Sequence, residues 1–98
     1  MQVINIKRTR LRPDQYTYIG RPSPWGNPYS HLPSVLARFK VANRDAAIRS
    51  YEIWIREQPL LLAKLPELVM LGVLGCHCKP LACHGDILIK LIYERELI

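Results

Sequence analysis

Residues 3–7, Val-Ile-Asn-Ile-Lys, are rich in β-branched side chains, which alternate with polar ones from Ile4 onward, a pattern that predicts an opening strand. Residues 9–16 follow as a basic turn, and Thr17–Ile19 reads as a second short strand running into Gly20. The next stretch, 20–34, contains Pro22, Pro24, Pro28 and Pro33 and is suited neither to a helix interior nor to a central strand. Asn43 then reads as an N-cap, with Asp45 in the first turn opposing the helix dipole. Ala47, Ile48, Tyr51, Trp54 and Ile55 recur at helical spacing until Pro59 ends the run. A short second helix is expected over 60–65, before Pro66. Residues 68–76 are apolar on both alternating faces, as in a strand buried in an α/β sheet. In the last helix Ile87, Leu88, Leu91 and Ile92 form a stripe, and Lys90 can pair with Glu94 one turn on. This order predicts a small α/β sandwich: a short, mainly parallel sheet covered by about three helices, in a single domain spanning residues 1–98.

Composition narrows the picture. The chain is 49% hydrophobic and 22% charged, which favours folding over disorder. A core of this size gains from a partner subunit, a ligand or a metal, so a homo-oligomer is expected. The net charge of +6 is uneven. Residues 1–50 hold nine Lys or Arg against Asp14 and Asp45, whereas residues 51–98 hold five basic and six acidic side chains. That field suits phosphates, nucleotides or nucleic acid, although a basic face can also serve solubility alone. The three cysteines fall within eight positions and are not spread as a disulfide framework. With no signal-peptide pattern at the start and no apolar run of bilayer length, the expected setting is cytoplasmic, with reduced thiols and no membrane partner.

Two stretches concentrate chemistry. The first, 20–28, reads Gly-Arg-Pro-Ser-Pro-Trp-Gly-Asn-Pro. Proline stiffens it, the Arg21 guanidinium suits phosphate, and Trp25 offers either a stacking face or a core plug. Asn27 is most simply a turn residue. No phosphate-loop motif occurs in the chain. The second, 75–86, reads Gly-Cys-His-Cys-Lys-Pro-Leu-Ala-Cys-His-Gly-Asp and spans the junction from buried strand to last helix. Ligands bind at that edge of open α/β sheets, and unpaired N–H groups at a helix start favour an anion. Gly85 is expected to admit a close ligand, and Lys79 to add charge.

Three readings compete for the cysteines. As metal ligands, Cys76, Cys78, Cys83 and His84 (or His77 in place of one) form a zinc set, with Cys76 and Cys78 on one strand face. The C-x-C-x4-C-H spacing departs from a C-x2-C knuckle, so no cofactor is the favoured reading. As a nucleophile, Cys83 near a helix start beside His84 would have a lowered pKa, with Asp86 completing a catalytic set. As plain structure, Cys76 and Cys78 are small buried apolar residues.

The two stretches together resemble a small family of bacteria and their phages, the domain of unknown function 4326. Its members share a G-R-x-S-x-W-G-N-P loop, a middle helix and a C-x-C-x-P-x-x-C-H segment. The resemblance covers residues 3–92 and falls on Gly20, Arg21, Ser23, Trp25, Gly26, Asn27, Pro28, Cys76, Cys78, Pro80, Cys83, His84 and Asp86. It implies a fold and a site without an activity, in a setting of nucleotide metabolism or phage interference with host defence. The favoured expectation is a domain that binds, and by binding sequesters, a phosphate-bearing nucleotide-derived ligand. Gly20, Arg21, Ser23, Trp25, Gly26, Asn27, Lys79, Cys83, His84 and Asp86 are its expected contacts. The alternatives are a small enzyme of nucleotide or nucleotide-sugar metabolism using Cys83, His84 and Asp86, and a nucleic-acid-binding domain.

Overall fold

The computed structural model describes residues 1–98. Five strands occur in chain order: β1 (Gln2–Asn5), β2 (Thr17–Tyr18), β3 (Tyr29–Ser30), β4 (Phe39–Lys40) and β5 (Val73–Cys76). The helices are α1 (Arg44–Arg56), α2 (Pro59–Leu62), α3 (Leu65–Val69) and α4 (His84–Glu94). The main sheet has the order β1-β5-β2 and is parallel throughout, with Gln2 opposite Val73 and Thr17 opposite Leu74. The central strand comes last in the chain and is buried at Leu74, Gly75 and Cys76, as a parallel strand covered on its faces must be. The small α/β sandwich is therefore as expected.

The amphipathic helices supply the core. Asn43 caps α1 by accepting the Ala46 N–H at 2.8 Å, and the helix buries Ala47, Tyr51 and Ile55. Helix α4 buries Leu88, Leu91 and Ile92 completely, which stabilises the fold by roughly 1.5–3 kcal/mol for each side chain. At its start, a Cβ added to Gly85 would lie 2.8 Å from Ile19 Cδ1 and 2.9 Å from Val3 Cγ2. Gly85 thus lets the helix approach the sheet, not a ligand.

Three local expectations are corrected. The expected 60–65 helix is two short ones, and Pro66 opens the second instead of ending the first, because proline is tolerated in a first helical turn. The expected 68–76 strand is confined to Val73–Cys76: Leu68 is buried on α3 while Met70 and Leu71 are exposed, and Gly72 takes φ +72° to redirect the chain. Finally, Lys90 and Glu94 do not pair with each other. Lys90 reaches Glu52 at 3.0 Å, and Arg56 joins Glu52 at 2.7 Å to Glu94 at 3.0 Å, so the charges tie α1 to α4. The proline-rich segment also holds order that its composition hides. Its β3 pairs with β4 just beyond it, and the Tyr29 and Phe39 rings stack at 5.0 Å.

Candidate functional site

The 20–28 loop is built from two successive turns, with Ser23 N–H donating to Gly20 O at 2.8 Å and Gly26 N–H donating to Ser23 O at 2.9 Å. Three contacts fix its outer part. The Tyr51 hydroxyl donates to Trp25 O at 2.7 Å, Asn27 Nδ2 donates to Ala47 O at 3.0 Å, and Asn27 Oδ1 accepts the Tyr29 N–H at 2.9 Å. Asn27 thus matches the turn role expected of it and also anchors the loop to α1. Trp25 is buried in the hydrophobic core, so it is a plug and not a stacking face. Arg21 Nη1 donates to Asn27 O at 3.0 Å, which holds the guanidinium across the loop. The Ser23 hydroxyl is buried without a partner.

The second wall begins where β5 ends. Asn5 Nδ2 donates to Lys79 O at 2.8 Å, pinning the 77–80 turn to β1. At the start of α4, Asp86 Oδ2 accepts the Cys83 N–H at 3.1 Å while Cys83 Sγ accepts the Gly85 N–H at 3.4 Å, a reciprocal cap. Lys79 Nζ lies 2.8 and 3.0 Å from the two Asp86 oxygens, so these two expected ligand contacts neutralise each other. His84 is buried, with Nε2 2.8 Å from Ile19 O and its ring edge-on to Tyr51. A carbonyl can only accept, so Nε2 carries the proton and Nδ1 turns its lone pair toward Cys83 Sγ at 3.6 Å. Burial lowers the His84 pKa and keeps the ring neutral.

The walls enclose a cavity of about 490 Å³. Of the expected contacts, Gly20, Arg21, Asn27, Cys83 and His84 line it. Ser23, Trp25, Gly26, Lys79 and Asp86 do not. The lining adds residues that the sequence reading did not single out as contacts: Tyr18, Tyr29, His31, Arg44 and His77. The Arg44 guanidinium is held by Ala82 O at 3.3 Å, and the Tyr18 hydroxyl donates to Arg21 O at 2.8 Å while meeting His77 Nε2 at 3.2 Å. No Asp or Glu side chain lines this cavity.

Cys76, Cys78 and Cys83 also line the cavity, and their three Sγ atoms lie within 4.8 Å of one another. Such a cluster has the chemistry to hold a metal ion. Hydrogen bonding with Cys76 and Cys78, together with burial, pushes the Cys83 thiol up. The lowered Cys83 pKa expected from the helix start is therefore not found. It is the half-buried Cys78 thiol that is pulled down, by hydrogen bonds from Cys76 and Cys83 and with Arg44 close by.

Residues 4–94 match the family described as a domain of unknown function (DUF4326), a span that holds most of the sheet and both cavity walls. The chain belongs to the DUF4326 family. No curated protein and no solved structure matches it. The family description names no activity, so the chemistry of this DUF4326 domain rests on its cavity. No helix in it is long and apolar enough to cross a membrane.

Proposed function

We propose that this DUF4326 domain binds a small phosphate-bearing, nucleotide-derived ligand in the cavity between residues 20–28 and 76–84, and acts by sequestering it. One observation carries the reading: the cavity presents the Arg21 and Arg44 guanidiniums and the His31 and His77 imidazoles with no carboxylate among them. Inside a recess of lowered dielectric, two guanidiniums with no carboxylate beside them favour an anion, and their forks match phosphate oxygens. The volume falls within the range of small-molecule sites. Tyr18 and Tyr29 take the ring-packing role expected of Trp25. One chain supplies both walls, so the reading requires no second copy.

Binding without chemistry is favoured over catalysis by Cys83, His84 and Asp86. Asp86 is occupied by Lys79 and the Cys83 N–H, His84 Nε2 is committed to Ile19 O, and Cys83 is buried. An amide-resolved NMR titration with adenine and guanine nucleotides tests the site. Shifts confined to Gly20, Arg21, Tyr29, Arg44 and residues 76–84 are expected. Shifts centred instead on the exposed basic turn 7–12, and shared with DNA or RNA oligomers, would transfer the function to nucleic acid.

A further inference from the structure

Three cysteines converge here from different elements: Cys76 at the end of β5, Cys78 in the following turn, and Cys83 at the cap of α4. The Cys76 and Cys83 sulfurs lie 2.9 Å apart, too far for a disulfide and close for two unbonded sulfurs. Zinc–sulfur bonds of about 2.3 Å at tetrahedral angles set neighbouring sulfurs about 3.8 Å apart. The three sulfurs already lie within 4.8 Å of one another, so a modest opening of the 2.9 Å Cys76–Cys83 contact would reach that spacing.

Two backbone N–H groups point at the sulfurs. The Cys78 N–H donates to Cys76 Sγ and the Gly85 N–H to Cys83 Sγ, each at 3.4 Å. Such N–H···S bonds stabilise thiolate and orient it, as outer-shell partners do at metal centres. The α4 amino terminus, capped by Cys83, partly offsets the net negative charge that three thiolates leave around a divalent ion. His84 stands beside the set, with Nδ1 facing Cys83 Sγ alone.

We infer that Cys76, Cys78 and Cys83 form a three-thiolate site for a soft divalent ion of the zinc class, with its fourth coordination position open to the cavity. All three cysteines line that cavity, so the remaining position faces the space where a small molecule enters. Three protein ligands and one exchangeable position distinguish such a centre from a closed structural site. Each thiol releases its proton to bulk water as the ion binds. The inference stands apart from nucleotide binding, which Arg21 and Arg44 support without metal.

The test uses the full chain, reduced and washed with chelator under anaerobic conditions, then titrated with cobalt(II) and zinc(II). One equivalent of cobalt should give a thiolate-to-metal charge-transfer band and the ligand-field bands of tetrahedral cobalt, both removed by one equivalent of zinc. Imidazole should shift the ligand-field bands by taking the fourth position. Cys78→Ser, at a half-buried position, should lower zinc affinity by about 100-fold or more, beyond the loss usual for outer-shell partners. Lys64→Ala, exposed between α2 and α3 and away from the cavity, should leave zinc affinity unchanged. A folded, reduced chain that gives no charge-transfer band overturns the site. So does full zinc affinity in folded Cys78→Ser, with Cys78→Ala as the second variant. Bands insensitive to imidazole overturn the open position.

Discussion

The Tyr51 hydroxyl donates to the Trp25 carbonyl at 2.7 Å inside the core and fastens the proline loop to α1. Its neighbour bond, from Asn27 Nδ2 to Ala47 O, makes a second tie between the same two elements. The wall bearing Arg21 is therefore set by the helix whose first turn bears Arg44. A ligand meets two guanidiniums that are already placed, which reduces the ordering cost of binding.

Tyr51→Phe should lower unfolding stability by about 1–3 kcal/mol, because it leaves the buried Trp25 carbonyl without a donor. Urea denaturation monitored by Trp fluorescence measures the loss. Asn27→Ala should cost at least as much, since it breaks bonds at both ends of one amide.

Gly85→Ala should destabilise the domain by about 1–3 kcal/mol through overpacking, since Ile19 is fully buried and cannot move aside. A small enlargement at exposed Ala82 meets no such barrier. A shift in the thermal midpoint of Gly85→Ala, relative to a conservative change at an exposed position such as Ala82→Ser, checks this.

Acid should weaken the α1–α4 tie. Hydrogen bonds from Arg56 and Lys90 hold Glu52 below the usual carboxylate range. The folded state thus binds the Glu52 proton less readily than the unfolded chain. The resulting stability is complete above the unfolded value near 4.5 and is lost as pH falls through the lower folded value. Exposed pairs of this kind contribute roughly 0.2–1 kcal/mol each and are screened by salt. Glu52→Gln should flatten the pH dependence of stability below pH 5, with a smaller difference from the parent at high salt.

Much of the fold was legible in local pattern. Asn43 and the Ala47–Tyr51–Ile55 spacing mark α1, and the Leu88–Leu91–Ile92 stripe marks α4, because capping and periodicity are local properties. Residues 68–72 misled because a helix with one buried face and an apolar buried strand share a composition, and only Gly72 separates them. Half of the expected contacts line the cavity. Trp25 was ambiguous because an aromatic in a stiff loop suits a core and a site equally. Lys79 and Asp86 found each other across a turn, a pairing seven residues apart that no helical spacing rule supplies. Arg44 was hidden by its ordinary place after an N-cap, and Tyr29 and His31 by a proline-rich segment whose strand pairing is non-local.

Arg21→Ala and Arg44→Ala should separate affinity from fold. Each guanidinium makes only one hydrogen bond to a backbone carbonyl, so stability should change little. Loss of a charge-assisted phosphate contact should weaken nucleotide binding by about 10- to 100-fold in either variant. Circular dichroism and calorimetry on the same samples distinguish the two effects.

The central claim is most directly tested by isothermal titration calorimetry of the full chain against mononucleotides, dinucleotides, cyclic nucleotides and inorganic phosphate, with chelator present. The account predicts one-to-one binding of at least one phosphate-bearing nucleotide, weakened in Arg21→Ala and in Arg44→Ala and absent for the matching nucleoside. Folded protein that gives no heat across the panel, or binding that both arginine variants retain in full, would contradict it.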